Sequence, residues 1–367
     1  MGRLNELFDG HGQSPWMDNL KRGWITSGEL QRWVDRGVRG LTSNPTIFAK
    51  AIADSPDYDE QFSTLVNSGS SVDESYWGLV TTDIESALAI LRPVYDASDG
   101  VDGYVSVEVS PDLALDSEGT YAAAQQLWDQ IDEPNLYVKI PGTAPGVDAI
   151  RRSIAAGRNI NVTLLFGLQR YDEVVEAYLA GLEELVAGGG DPSHVSSVAS
   201  FFVSRVDTAV DRRLGEIGTP EALALKSKAA LANARLAYQH FLRHFSGPRW
   251  EALAAAGARV QRPLWASTST KDPSLPDTLY VDGLIGPDTV NTMPDATLTA
   301  VDDHGQLTRT VDADPAADEA TVAALAALGI DLEAVAATLE DEGVASFAKS
   351  FDELIDSLSA KAEDLRK

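Results

Sequence analysis

Between residues 103 and 111 the chain alternates: Val105, Val107 and Val109 fall on one face of an extended segment, and Ser106, Glu108 and Ser110 on the other. The same period of two returns at 136–141, where Val138 and Ile140 oppose Tyr137 and Lys139. It returns again at 159–166, where Ile160, Val162 and Leu164 oppose Asn159, Asn161 and Thr163. Runs of strand character also occupy 38–46, 195–203 and 263–270, with weaker ones at 15–19 and 279–285. Helical spacing fills 28–36, 117–131, 146–156 and 169–187, and longer helical regions cover about 47–98, 206–256 and 312–367. Strands that alternate with helices pair in parallel through crossovers. About eight such strands predict an α/β protein, a (β/α)8 TIM barrel with additional helices, as a single domain over residues 1–367.

In a closed parallel barrel one face of each strand packs on helices and the other fills the interior. The polar parity then directs Glu108, Lys139, Asn161 and Thr163 inward together. A lysine in a buried strand is costly unless something neutralises or uses it. Two readings of Lys139 follow: a structural cation paired with a carboxylate, or an amine that burial frees to condense with a carbonyl as a Schiff base. Asp18 and Asn44 stand at the ends of their own strand segments, where turn and capping roles compete with chemistry. Pro45 favours the strand-end turn at Asn44.

Composition narrows the chemistry. The chain has no cysteine, which rules out disulfides, thiolate nucleophiles and cysteine-based metal sites. Its formal net charge is -27, from 56 acidic against 29 basic residues, which disfavours nucleic acid and anionic membrane as partners. A phosphorylated metabolite would need a local cluster of basic groups to overcome that field. No apolar run approaches the ~20 residues of a membrane helix and no apolar signal core opens the chain, so the expected address is cytoplasmic. Of five histidines, only His240 and His244 share a helical spacing, and no carboxylate motif adjoins them in sequence. They read as surface residues, and neither metal nor cofactor is expected.

Several segments together resemble transaldolase. They are Trp16-Met17-Asp18-Asn19-Leu20-Lys21-Arg22, Gly40-Leu41-Thr42-Ser43-Asn44-Pro45-Thr46, Val105-Ser106-Val107-Glu108-Val109 and Tyr137-Val138-Lys139-Ile140-Pro141. Asn159 to Phe166 and Ala199 to Asp207 continue the series in the family's order and spacing. Trp265-Ala266-Ser267-Thr268 followed by Lys271-Asp272-Pro273 resembles the longer bacterial and plant members, less distinctly. The resemblance implies a class I aldolase-type barrel of the pentose phosphate pathway. Such an enzyme moves a dihydroxyacetone unit from sedoheptulose 7-phosphate or fructose 6-phosphate to erythrose 4-phosphate or glyceraldehyde 3-phosphate.

Matching positions carry the family's roles onto this chain. Lys139 would form the Schiff base, Asp18 would act as acid and base at the C4 hydroxyl, and Glu108 and Thr163 would hold a proton-shuttling water. Asn44 and Asn161 would bind sugar hydroxyls, and Ser106 would support Glu108. Ser200 and Arg205 would hold the phosphate and Phe202 would wall the pocket. Ser267 and Lys271 are added to the phosphate site on the weaker match. Fructose-6-phosphate aldolases, which release dihydroxyacetone, carry Gln and Tyr where this chain has Glu108 and Phe202. A sugar-phosphate-binding barrel without turnover would tend to lose Lys139 or Asp18. Sugar phosphates are the expected partners, and the chain is expected as a monomer or homodimer.

Overall fold

The computed structural model describes residues 2–53 and 55–365. At its centre eight parallel strands close into a barrel, each bonded to the next in chain order and the last to the first. They are β1 (Gln13–Asp18), β2 (Leu41–Thr42), β3 (Val105–Glu108), β4 (Leu136–Pro141), β5 (Ile160–Leu165), β6 (Ser197–Phe202), β7 (Gln261–Ala266) and β8 (Thr289–Met293). The expected (β/α)8 TIM barrel with additional helices is the fold. Seven strands lie within or overlap the segments of strand character read from the sequence.

The eighth does not. Leu279–Asp282 is a helical turn, and the strand that closes the barrel is Thr289–Met293, registered along β1 from Gln13↔Thr289 to Met17↔Met293. A short apolar run such as Leu279-Tyr280-Val281 fits either period, and tertiary contact decides between them. Here the Tyr280 hydroxyl donates to Asp207 Oδ2 at 2.9 Å, which holds the turn against the helix Ser204–Ile217. A second departure is local. The register of β5 against β6 shifts between Val162 and Leu165, and Leu164 adopts φ 60°. This bulge takes Leu164 out of the face it would share with Ile160 and Val162 and seats it under the C-terminal helix at Gly343.

The N-terminal end of the barrel is plugged. Trp16, Tyr104 and Tyr137 are fully buried, and the two tyrosine rings stack with centroids 4.2 Å apart. Next to this layer Asp102 pairs with Arg39 at 2.7 Å and Arg262 at 3.1 Å, and accepts from Ser14 and the Trp16 indole. A buried carboxylate with two guanidinium partners is a structural plug, leaving the C-terminal end for chemistry.

Additional helices occupy the regions Pro45–Ala53 to Val72–Ala97 between β2 and β3, Ser204–Ile217 to Gly247–Ala255 between β6 and β7, and Pro315–Ala327 to Leu332–Leu365 after β8; Arg3–His11 before β1 and Asp295–His304 directly after β8 lie outside the regions expected. The last, Leu332–Leu365, buries a stripe at four-residue spacing: Val335, Leu339, Gly343, Phe347 and Phe351, continued by Leu354 and Leu358. Each large side chain buried in that stripe contributes about 2 kcal/mol, so packing outweighs helix propensity in holding this helix. No single helix among the described residues is long and apolar enough to cross a membrane.

Candidate active site

Strand register brings the inward polar residues together. Glu108 on β3 lies opposite Lys139 on β4, Lys139 opposite Asn161 on β5, and Pro141 opposite Thr163. Lys139 is 4% exposed; its Nζ donates to the Ser43 carbonyl oxygen at 3.2 Å and stands 3.1 Å from Glu108 Oε2. The two side chains form a buried ion pair. Burial pushes the Glu108 carboxyl above the usual range, against the opposing pull of Lys139. Thr163 Oγ1 is buried and has no hydrogen-bond partner among the described residues.

Asp18 ends β1 opposite Thr42, whose hydroxyl donates to Asp18 Oδ1 at 2.8 Å. Burial raises the Asp18 pKa, while the Lys139 charge and the Thr42 hydrogen bond pull it down. Asn44 Oδ1 caps the helix Pro45–Ala53 by accepting the Ile47 N–H at 3.0 Å, and the residue also lines the cavity. Asn161 is fully buried, donating to Ser106 Oγ at 3.0 Å and accepting from Ser200 Oγ at 2.7 Å. Ser106 thus supports Asn161 directly; no hydrogen bond joins it to Glu108.

The mouth carries the positive charge. Arg205 sits in the first turn of the helix after β6, its guanidinium 5.4 Å from the Phe202 ring centroid. Its sequence neighbours Asp207 and Asp211 are engaged elsewhere, Asp207 by Ala230 N–H and Tyr280, Asp211 by Ser227. Among the described residues Arg205 has no ion-pair partner, and desolvation lowers its pKa against the pull of Asp18 and Glu342. Lys271 is lowered in the same way, by desolvation and by the charge of Arg205. Its Nζ donates to Ser269 Oγ at 2.8 Å. Ser267 adopts φ 55° and shares a hydrogen bond of 2.9 Å with Ser204 Oγ. Among the described residues no carboxylate is bound to either cation, an arrangement chemically suited to a dianionic group.

A cavity of about 290 Å³ joins Lys139, Asp18 and Thr163 to Ser200, Phe202, Arg205, Ser267 and Lys271. A larger hollow of about 570 Å³ opens beyond Asp18 and shares Ile47, Lys50 and Pro294 with it, but Lys139 faces only the smaller one. Thr42, the Ser43 carbonyl and Thr292 belong to the site without having been singled out in sequence. Thr42 and Ser43 lie inside the Gly40–Thr46 segment, which marked the neighbourhood only. Ser346, Phe347 and Ser350 of the C-terminal helix also line the cavity, and no local pattern in that alanine-rich stretch points to it.

His240 and His244 differ from expectation. Both are half-buried, and His240 Nδ1 and His244 Nε2 lie 2.8 and 2.7 Å from the same oxygen, Asp172 Oδ1. Asp172 comes from the packed helix Leu168–Ala187, too far along the chain for local sequence to pair it with them. The two rings share one carboxylate oxygen, and among the described residues no group of three or more His, Asp or Glu side chains is disposed to hold a metal ion.

Fold and site together define a parallel α/β barrel built around a buried lysine, with carboxylate and hydroxyl groups lining the same cavity and two cations, Arg205 and Lys271, at its mouth. Residues 15–358 match the family described as Transaldolase/Fructose-6-phosphate aldolase, and the chain belongs to that family. It is 52% identical to the transaldolase of Frankia alni over 97% of this chain and 96% of that protein. It is 53% identical to the transaldolase of Thermobifida fusca over 97% of each chain. The transaldolase of Mycolicibacterium smegmatis is 48% identical over 97% of this chain and 96% of its own length.

Proposed function

We infer that this chain is a transaldolase, a transferase that carries a dihydroxyacetone unit on Lys139 between sugar phosphates of the pentose phosphate pathway. The observation that carries the reading is the placement of Lys139 Nζ. It is buried, 3.1 Å from Glu108 Oε2, and it faces a cavity whose mouth holds the unpaired Arg205. Near-full-length identity to named transaldolases supports it independently.

The ketose enters with its phosphate on Arg205, helped by Ser200, Ser267 and Lys271, and its carbonyl at Lys139. Lys139 attacks the carbonyl carbon, and the amine proton leaves toward Glu108, whose burial raises its affinity for it. A water held between Glu108 Oε2 and Thr163 Oγ1, both buried and the threonine hydroxyl without a hydrogen-bond partner among the described residues, carries protons to and from the carbinolamine oxygen. Loss of water gives the iminium, an electron sink. Asp18 takes the C4 hydroxyl proton, the C3–C4 bond breaks, and the aldose phosphate leaves. The three-carbon enamine remains on Lys139 until an acceptor aldehyde arrives and the steps reverse. Asn44 and Asn161 position the hydroxyls, and Phe202 closes the wall beside Arg205. The chemistry calls for no metal or cofactor, and the same reading makes the protein a cytoplasmic enzyme, monomeric or dimeric.

Borohydride reduction in the presence of fructose 6-phosphate tests the assignment. A dihydroxyacetone-sized adduct on the peptide containing Lys139, discharged by prior addition of erythrose 4-phosphate, is expected. Absence of any adduct on folded protein would sink the Schiff-base mechanism. Activity that survives dialysis against a chelator is the companion expectation.

A further inference from the structure

Phe347 plays no part in recognising or activating substrate in the mechanism above, yet it stands over the reacting amine. Its ring centroid lies 6.0 Å from Lys139 Nζ, and the residue is 4% exposed. It is held there from two sides. One turn earlier, Gly343 rests on the side chain raised by the β5 bulge: a Cβ at Gly343 would fall 2.9 Å from Leu164 Cδ2. Close to the same turn, Thr46 Oγ1 donates to Ser350 Oγ at 3.0 Å, tying the helix to Pro45–Ala53 across the mouth. The surrounding wall is mostly hydroxyls and charges, suited to a polyol. A phenyl ring there offers no hydrogen bond; what it contributes is a surface that water does not occupy.

We propose that Phe347 keeps bulk water from the carbon nucleophile held on Lys139, and so decides between transfer of the three-carbon unit and its release. The proposal rests on the transaldolase reading. After cleavage, Lys139 carries an enamine whose C3 lies two bonds from Nζ, within reach of the ring. In transfer, C3 forms a bond to the aldehyde carbon of the acceptor, the aldehyde oxygen takes the proton from Asp18, and the iminium is restored. In release, C3 takes a proton instead, giving the iminium of dihydroxyacetone. One water then adds, the carbon–nitrogen bond breaks, and the products are dihydroxyacetone and the protonated Lys139 amine. Both branches end in the same hydrolysis, and no electrons leave or enter the system. They part only at the protonation of C3, which requires a donor near that carbon. Excluding water there suppresses this side reaction without obstructing the bond to the acceptor.

The test compares wild type with Phe347→Ala, Phe347→Gln and the conservative Phe347→Leu. Fructose 6-phosphate is the donor, and free dihydroxyacetone is measured without acceptor, transfer with erythrose 4-phosphate. The Ala and Gln variants are expected to raise the ratio of release to transfer about tenfold, equivalent to one decade of relative barrier. Dihydroxyacetone formed in D2O should carry correspondingly more deuterium per transfer event. Phe347→Leu should restore a ratio near that of wild type. A loss of packing alone would lower both rates together and leave the ratio in place, and that result overturns the proposal. If Phe347→Ala does not fold, the contrast between Gln and Leu decides by the same criterion. Wild-type protein that transfers nothing to erythrose 4-phosphate would overturn the transaldolase reading itself, and the shield with it. Wild-type transfer with an unmoved ratio in the variants removes the shield alone.

Discussion

Lys139 and Glu108 are useful to each other only as a pair. Replacing Lys139 with Met leaves a buried carboxyl with no cation beside it, so Glu108 becomes harder still to ionise. The K139M protein should yield no borohydride adduct and no transfer. In the proposed mechanism Asp18 acts later, and its loss should separate the steps. In Asp18→Asn the Schiff base forms but C3–C4 cleavage stalls, so kcat should fall about 10²- to 10⁴-fold. Mass spectrometry should then find the whole sugar phosphate reduced onto Lys139, where wild type holds only the three-carbon unit. Burial sets the Asp18 pKa above the ordinary aspartate range, and the group must be ionised to take the proton. Activity should therefore fall as pH drops through that raised value, and a kcat/KM profile with its acid limb at or below the free aspartate pKa would contradict the role. Arg205→Ala should raise KM for fructose 6-phosphate roughly 10- to 100-fold, the scale of one charge-assisted bond, and leave turnover of an unphosphorylated donor nearly unchanged.

The strands present these groups, and the elements that follow them hold the strand ends in place. The helix Ala144–Ala155, directly after β4, starts at Thr143, whose hydroxyl accepts the Gly146 N–H at 3.2 Å. A Cβ on Gly146 would lie 2.1 Å from the Pro141 carbonyl oxygen, a backbone atom that cannot step aside. Gly146→Ala should push this helix off the end of the lysine strand and cost about 1–3 kcal/mol, measurable as a lowered denaturant midpoint together with reduced kcat. Asp207 plays a comparable part for the helix Ala229–His244, accepting the Ala230 N–H at 2.8 Å in its first turn. Burial pushes its carboxyl up to about 6 from an ordinary 3.8. The folded protein thus holds this proton more tightly than the unfolded chain does. Its contribution to stability is fully present below pH 3.8 and is lost as pH rises through about 6. The difference is about 3 kcal/mol, and Asp207→Asn should abolish that slope in melts compared from pH 4 to pH 7.

Over the molecule as a whole, the charge of -27 sets a condition that no single site reveals. Like charges spread over a compact barrel repel one another, while local pairs such as Arg249 with Glu176 and Glu183 lie on the surface and contribute little each. Raising ionic strength from about 0.05 to 1 M shortens the screening length from over 10 Å to about 3 Å, and it weakens the repulsion more than it weakens the close pairs. The melting temperature should rise by a few degrees across that range. A fall would show that the ion pairs outweigh the repulsion. The same field repels phosphorylated sugars from most of the surface, so the proposed binding of their phosphate rests on Arg205 at the mouth.

Alternation is a local property, so the chain by itself determined which side chains point inward: Glu108, Lys139, Asn161 and Thr163 all do. It determined the barrel as well, because parallel strands joined by helices have few other ways to bury both faces. Distances between strands are not local. That Glu108 lies opposite Lys139, that Asn161 bridges Ser106 and Ser200, and that Asp172 meets two histidines depend on register and helix packing. The apolar run at 279–285 was open to either period until Tyr280 found Asp207 and Thr289–Met293 closed the barrel against β1. Phe347 shows the limit most plainly. Its place in the stripe of a long helix marks it as buried, and only the docking of that helix on Leu164 brings its ring to Lys139.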